Sequence, residues 1–548
     1  MDPQSNEPLG RLRAELAAAA ARLREPDGEP DAVVERPPRP EFGDYSTNLA
    51  LLLAPAMKSP PREVAERIGE DLQERLAGVL DRAEVAGPGF LNLFLSDAWF
   101  RAALADIRAQ GDGFGAGAIP EDARERILVE FVSANPTGPL TAAGGRHAAY
   151  GDSLARVLEF AGHEIEREYY VNDYGTQVQR FGESIAARMT GGEVPEGGYE
   201  GDYVREIAEQ AGAEAIDSGD IDALARRGIE LIMERVRATL ERFRVRFDRF
   251  FSERGLHESG AMQRDLDKLA AGEHVYDSDG ATWLRTSAFE DDKDRVLRRS
   301  SGEMTYFGTD IAYHQDKRRR GYDRLINLLG ADHHGYVGRM MSLFEVLDDA
   351  GKLEIIVMQL VQVVERGARA QMSKRRGEFV TLDELVDDIG VDAARFFMLQ
   401  RSPDTPLDLD LDLARERSQE NPVYYVQYAH ARIASILRNA GEERLAAAEA
   451  ANLEAGEGAL EPAERALVKR MLALPDEVRE AAERRAPHRL TGYAHSLASD
   501  FHAFYRDCRV VGAEGPGMEE WRLSVCLATQ RTIARVLGLL GVEAPDRM

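Results

Sequence analysis

The residues best equipped for chemistry fall in three places. The first is a Gly- and Pro-rich turn, Asn135-Pro136-Thr137-Gly138-Pro139, set between the apolar run Ile127 to Val132 and a helical pattern from about Gly145 to Ala161. Such a turn leaves the N–H groups of the helix start unpaired and facing any anion in front of them, so Asn135 to Arg146 reads as a phosphate-binding element. The second is the cationic segment Gln371-Met372-Ser373-Lys374-Arg375-Arg376-Gly377. Only seven of the 69 basic residues are lysines, and Lys374 is one of them. A compact ammonium suits a moving phosphate contact. The third is Gly330-Ala-Asp-His-His-Gly-Tyr336. Adjacent histidines usually point apart and no third ligand stands at metal spacing, so no metal site is expected of His333 and His334.

These residues need a scaffold, and the sequence supplies one in three blocks. The run Ile127 to Val132, the turn, the helix closed by Gly162 and a second strand from Ile165 to Val171 make a βαβ unit. That unit predicts a parallel sheet with a nucleotide site at the helix N-terminus. Leu325 to Leu329 and Leu353 to Val364 supply further strands, and a largely helical insertion over about 180–300 is broken at Gly191 to Gly201. Residues 113–384 are thus expected to form a Rossmann-type domain. Residues 1–112 read as a small α+β module: an opening helix with the Ala-rich run Leu16 to Leu23, a Pro-rich link from Arg36 to Pro40, a helix from Pro61 to Leu80, and a strand and turn from Val85 to Asn92. Residues 385–548 lack strand signals. Helical periodicity over Pro422 to Asn439, Glu461 to Ala486, His488 to Cys508 and Met518 to Leu540 predicts an all-α helical bundle. The fold class is multidomain α/β.

Composition excludes several classes. Apolar residues at 44% and charged residues at 30% are those of a globular chain, and no run approaches the ~20 apolar residues of a membrane span. The N-terminus has no basic region followed by an apolar core, so a cytoplasmic protein is expected. Cys508 and Cys526 have no partner at metal spacing and read as buried thiols. The net charge of −27 argues against coating of nucleic acid. It still allows recognition through local basic runs such as Lys317 to Arg320, Lys374 to Arg376 and the Arg-rich stretch Glu464 to Arg489.

A family resemblance joins these parts. Val129-Glu-Phe-Val-Ser-Ala-Asn-Pro-Thr-Gly-Pro-Leu140 resembles the segment leading into the first motif of class I arginyl-tRNA synthetases. Tyr170-Val-Asn-Asp-Tyr-Gly-Thr-Gln177, Thr309-Asp-Ile-Ala-Tyr-His314, Gly330 to Tyr336, Met372-Ser-Lys374, Asn421 to His430 and Ala544 to Met548 resemble later segments of the same family, in order. The resemblance implies an enzyme that activates L-arginine with ATP and Mg2+ and transfers it to the terminal adenosine of tRNA-Arg. It further implies a monomer, activation that requires bound tRNA, and the 2′-hydroxyl as acceptor.

The same resemblance assigns residues. Asp310 and Tyr306 match the positions that hold the guanidinium, and an aspartate can grip that group with two parallel hydrogen bonds. Glu130, Ser133 and Asn135 match positions around the substrate ammonium and carboxylate. Pro136, Gly138, Gly145, His333, His334, Met372, Ser373 and Lys374 fall at the ATP, with Lys374, Thr141, Gly144 and Arg146 as its catalytic contacts. Tyr425, Gln427 and Tyr428 fall on the tRNA-binding face. The sequence departs from the family in two places. The first motif, His-x-Gly-His, is Thr141-Ala142-Ala143-Gly144 here, and the first lysine of the second motif is Gln371. Thr141, the helix-start N–H groups, Arg146 and His147 are the donors left for the nucleotide. The alternative is a synthetase paralogue that binds tRNA or regulates without charging it.

Overall fold

The fold comes from a computed structural model that describes residues 8–23, 34–37, 39–270, 274–289, 291–302, 305–369 and 380–548. The chain opens with α1 (Pro8–Leu23), β1 (Val34–Glu35), β2 (Tyr45–Thr47), α2 (Leu49–Met57), α3 (Pro61–Arg75), β3 (Leu80–Ala86), β4 (Phe90–Leu95) and α4 (Asp97–Gln110). The four strands form an antiparallel sheet in the order β1-β2-β4-β3. Leu9, Leu12, Leu16, Ala19 and Ala20 are buried residues of α1. Their spacing of three and four makes one apolar stripe on the helix.

The middle of the chain is built on a five-stranded parallel sheet. Its elements are β5 (Arg126–Glu130), α5 (Ala142–Ala161), β6 (Glu164–Val171), α6 (Thr176–Thr190), α7 (Asp202–Ala213), α8 (Ile221–Arg242), β7 (Arg249–Ser252), α9 (Glu253–Glu258), α10 (Ala261–Ala270), β8 (Val275–Ser278), β9 (Ala281–Leu284), β10 (Arg295–Arg298), α11 (Tyr306–Arg319), β11 (Arg324–Gly330), α12 (His334–Val346) and β12 (Leu353–Met358). The strand order is β12-β11-β5-β6-β7, and every pairing is parallel. From β5 the chain moves to β6 and β7 on one side, then returns to β11 and β12 on the other. The crevice between the carboxyl ends of β5 and β11 is therefore the topological switch point, where open parallel sheets bind ligands. Gly162 closes α5 with φ 119°, as the sequence predicts.

Three expectations about the strands need correction. The run Leu353 to Val364 is two strands rather than one. After β12 the chain leaves the parallel sheet, and β13 (Val361–Glu365) pairs with β14 (Ala368–Arg369) and with β15 (Leu407–Asp410), which follows α13 (Leu382–Met398). Strand β15 also overturns the reading of 385–548 as free of strands: Leu407-Asp-Leu-Asp410 alternates with period two, and its leucines are buried while its aspartates face out. Finally, the insertion over 180–300 is helical without interruption by strands only as far as α8, and its second half mixes short helices with strands. It carries the edge strand β7 and the antiparallel sheet β10-β9-β8. The β8–β9 hairpin turns at Asp279-Gly280 with φ of 53° and 74°, the left-handed pair that such a two-residue loop requires.

Beyond α14 (Leu411–Arg415) the chain is helical: α15 (Pro422–Ala440), α16 (Glu442–Ala450), α17 (Pro462–Leu472), α18 (Leu474–Glu483), α19 (Arg489–Asp507) and α20 (Met518–Leu540). The stretch expected as one helix from Glu461 to Ala486 breaks at Leu474-Pro475, because proline is favoured in a first turn and disfavoured inside a helix. Helix α20 is long and apolar enough to cross a bilayer, yet 67% of its apolar window is buried inside the protein. Cys508 and Cys526 are both buried and unbridged. The Arg-rich stretch from Glu464 turns inward. Arg465 pairs with Asp97 at 2.6 Å and Lys469 with Asp44 at 2.8 Å, which ties the bundle to the N-terminal sheet.

Candidate active site

The site begins with a sharp break after β5. Val132 and Ser133 have φ of 67° and 41°, in the left-handed region that L-residues avoid. The break turns Glu130 and Ser133 toward β6: Ser133 Oγ donates to Glu130 Oε1 at 3.0 Å and accepts from the Tyr170 N–H at 3.1 Å. Asn135 Oδ1 accepts from Asn172 Nδ2 at 3.3 Å. Gly138 lies against Tyr203, whose hydroxyl donates to the Thr137 carbonyl at 2.8 Å.

Thr141 caps α5, its Oγ accepting from the Gly144 N–H at 3.2 Å. The helix start is also tied to the chain that follows the second-motif segment. The Ala142 N–H donates to the Val380 carbonyl at 2.9 Å, and the Leu382 N–H to the Leu140 carbonyl at 2.8 Å. Residues 370–379, and with them Met372, Ser373 and Lys374, lie outside the described residues, as do the side chains of Tyr306 and His334.

Two residues assigned to the nucleotide turn the other way. Arg146 is fully buried, and its guanidinium donates to the carbonyls of Gln359, Ser402 and Thr405 at 2.9, 2.9 and 3.0 Å. It pins α5 to the chain leaving β12 and to the turn before β15, so its charge is directed away from the crevice. Gly145 faces α13, where a Cβ would lie 2.7 Å from Leu382 Cδ1. It permits close helix packing rather than close approach of phosphate. The sequence alone could not tell these roles apart, because a buried Arg and an exposed one have the same neighbours in the chain.

On the other side of Glu130 lies a cluster of acidic residues. Its floor is a buried polar chain. Lys317, with no exposed surface, donates from Nζ to Glu130 Oε2 at 2.5 Å and to Asn327 Oδ1 at 3.0 Å. Asn327 Nδ2 meets His314 Nε2 at 3.0 Å, and His314 Nδ1 meets the Asp310 carbonyl at 2.8 Å. Burial pushes His314 down to about 3. It is therefore neutral, with its proton on Nδ1 donated to Asp310 and Nε2 accepting from Asn327. Burial alone would raise Glu130, but the Lys317 ammonium outweighs it and holds the carboxyl below its usual value.

Above this floor stand two carboxylates of the opposite behaviour. Asp310 is pushed up to about 7, chiefly by burial and further by Glu253 and Glu130, against hydrogen bonding from Tyr336 and the charge of Arg339. Glu253 is also pushed up to about 7, by burial and by Asp173, against a hydrogen bond from Tyr170. Neither is joined to a Lys or Arg in an ion pair among the described residues. Sequence reasoning missed Glu253. It opens a six-residue helix, and only the pairing of β7 with β6 brings it to α11. The basic run Lys317 to Arg320, read as a candidate nucleic-acid surface, is taken up by ion pairs, although Arg319 stays exposed. Arg318 pairs with Asp349, Arg319 with Asp265, and Arg320 with Glu168.

At the end of β11, His333 is exposed and pairs with Asp332 at 3.1 Å, its ring edge-on to Tyr336. In the bundle, Tyr425 stacks on His495 with centroids 4.9 Å apart, and Tyr428 stacks on Tyr424 and carries the Arg432 guanidinium over its ring. Gln427 does not join them. It is buried, and its amide donates to Asp392 at 2.8 Å and to the Glu543 carbonyl at 2.9 Å, which fixes the C-terminal tail instead of meeting a base.

The parallel sheet, the capped helix at its switch point and the helical bundle behind it define a class I aminoacyl-tRNA synthetase. A family model for the class I (R) tRNA synthetase catalytic domain matches residues 115–190 and 199–412. Models for the arginyl tRNA synthetase N terminal domain and the DALR anticodon binding domain match 10–95 and 426–548. An arginine–tRNA ligase of Frankia alni is 46% identical over 98% of this chain and 99% of its own length. One of Bacillus subtilis is 42% identical over 98% of each. The arginyl-tRNA synthetase structure of Thermus thermophilus, at 24% identity, superposes with a TM-score of 0.75 over 98% of this chain and 99% of that one. The chain belongs to the arginyl-tRNA synthetase family: it is an ATP-using ligase that joins arginine to tRNA.

Proposed function

We propose that the pocket bounded by Glu130, Glu253 and Asp310 holds the arginine substrate, with MgATP beside it at the start of α5. The observation that carries this reading is the pair of buried carboxylates, Asp310 and Glu253, neither ion-paired with a Lys or Arg among the described residues. A guanidinium is planar, always charged and forked, so it can satisfy both at once, whereas a lysine ammonium presents a single point of charge. Tyr306, one turn ahead of Asp310 on α11, is assigned to the same guanidinium by the family motif. Glu130 and Ser133, with Asn135, take the substrate's ammonium and carboxylate.

Catalysis is positioning and charge stabilisation, with no protein nucleophile. The arginine carboxylate attacks the α-phosphorus in line, the bond to the bridging oxygen breaks, and pyrophosphate leaves toward Lys374, Met372 and Ser373. Magnesium enters with the ATP, bound by phosphate oxygens and water. Pro136, Gly138, His333 and His334 are assigned to the nucleotide, and the capped start of α5, with Thr141 and Gly144, faces its phosphates with the positive end of the helix dipole. A hydroxyl of the terminal ribose of tRNA-Arg then attacks the adenylate carbonyl. The module over 1–112 contacts the tRNA, the catalytic domain occupies 113–384, and the bundle over 385–548 binds the anticodon. Stacking of bases on Tyr425 and Tyr428 is worth ~1–3 kcal/mol each. The protein works as a monomer in the cytoplasm.

The test is aminoacylation of total tRNA by the purified chain with each of the twenty amino acids in turn. Charging with arginine alone is expected. Tight tRNA binding without charging would instead establish a non-catalytic paralogue.

A further inference from the structure

Of residues 141 to 147 at the start of α5, few have a side-chain donor to offer. Thr141 Oγ is engaged as the helix cap, and Arg146 is turned to three carbonyls behind the helix. Positions 142 to 145 are Ala, Ala, Gly and Gly. His147 is the exception. It lies three residues after Gly144 and four after Ala143, so all three share one face of the helix. The titratable neighbours that act on it from beyond its own helix are Asp332 and His333, at the end of β11. The ring thus stands by the crevice between the ends of β5 and β11.

Two further features fit a ligand better than a packing role. Nδ1 of His147 is sealed from solvent and has no hydrogen-bond partner among the described residues, and buried polar atoms left that way in a folded protein are uncommon. Burial, with the adjacent Arg146, also pushes the ring down to about 4. It is therefore neutral near pH 7 and carries one N–H proton.

We propose that His147 donates a ring N–H to the α-phosphate of ATP during adenylate formation, supplying from the second turn of α5 the imidazole that the sequence lacks at positions 141 and 144. The inference rests on the reading of this crevice as the nucleotide site. The step itself is unchanged: a carboxylate oxygen of arginine bonds to the α-phosphorus, the bond to the bridging oxygen breaks, and pyrophosphate leaves. His147 exchanges no proton. It stabilises the charge that builds on the α-phosphate oxygens, and a donor of this kind contributes about 10²–10³-fold to kcat.

The experiment compares wild type, His147→Ala and His147→Gln by aminoacylation and by tRNA-dependent ATP–pyrophosphate exchange, with thermal melting as the check on folding. His147→Ala is expected to lower kcat about 100-fold with the KM for arginine unchanged. His147→Gln, which keeps an N–H donor, should recover a large part of the loss. A third variant carries Gly144→His in the His147→Ala background. A Cβ at 144 meets nothing closer than Leu140 Cδ2 at 3.6 Å, so an imidazole can be placed there, and it should restore activity. His147→Ala that melts as wild type and keeps kcat within about threefold, against the 100-fold expected of a lost donor, overturns the proposal. So does a loss that neither the His147→Gln change nor the added Gly144→His change relieves. If wild type itself fails to charge arginine, the nucleotide-site reading falls first.

Discussion

Arginine binding should expel protons from this protein, and the amount follows from two groups. Asp310 and Glu253 each stand near 7 in the unliganded pocket. They repel one another, so they titrate as a pair, and at pH 7 the pair holds about one proton in total; at pH 6 it holds nearly two, and at pH 8.5 almost none. A guanidinium in contact lowers a carboxylate pKa by roughly 1 to 3. Binding at pH 7 should therefore release about one proton, and binding at pH 6 between one and two. Of the groups around them, His257, whose Nε2 lies 3.6 Å from Glu253 Oε1, is held below its ordinary value by burial and stays neutral at pH 7 and above. Glu130 is held low by Lys317 and stays ionised, while Tyr170 and Tyr336 are raised and stay protonated. Because released protons oppose binding at low pH, arginine affinity should rise about 20-fold between pH 6 and 7, then level off above pH 8. Isothermal calorimetry in buffers of different ionisation enthalpy counts the protons directly. Glu253→Gln should roughly halve the count. A release below about 0.3 at pH 6, or an affinity flat from pH 6 to 7, would refute the reading of these carboxylates as the guanidinium site.

Two further outcomes test the neighbouring groups. Lys317→Met leaves the buried Glu130 carboxylate without its cation and should cost about 3–5 kcal/mol in urea unfolding. Adding Glu130→Gln should recover much of that stability without restoring arginine binding, and a single variant as stable as wild type would remove the pair from this account. Lys374→Ala should depress kcat about 10²-fold with little change in arginine affinity, read by single-turnover charging; weakened arginine binding with intact turnover would take Lys374 out of the phosphate contact.

Much of this was legible in the chain, for different physical reasons. The βαβ unit was readable because a Gly/Pro turn between a strand and a helix is local. Asp310 was singled out through a contiguous motif, and what the structure adds is its burial and its neighbours Tyr336 and Glu253. What stayed hidden depends on burial. Arg146 and Gln427 sit in motifs that suggest ligand contact, yet the fold points both at backbone carbonyls. Glu253 has no motif at all, since its meaning arises from the pairing of β7 with β6, two strands far apart in the chain. The alternation at Leu407 to Asp410 and the Asp279-Gly280 hairpin turn are short-range patterns of the readable kind, masked by the helical periodicity on either side of them.

The break after β5 shows why the site is precise. A β-branched Val132 and a Ser133 in the left-handed region cost about 1–3 kcal/mol each, so the surrounding contacts must over-determine them. They do. The Phe131 N–H donates to the Glu168 carbonyl at 3.3 Å, and the Tyr169 hydroxyl to the Ala134 carbonyl at 3.0 Å. Phe131 stacks on Phe247 at 4.4 Å and fills the space above Gly151, where any Cβ would collide with its ring. Gly151 belongs to α5, so the packing that pins the break also fixes the height of that helix over the sheet. In the proposed arrangement the same turn sets Glu130 and Ser133 on the arginine side and the capped start of α5 on the phosphate side. A strained backbone held in a packed core would then govern the distance between the attacking carboxylate and the phosphorus, leaving the side chains that touch substrate to supply only charge.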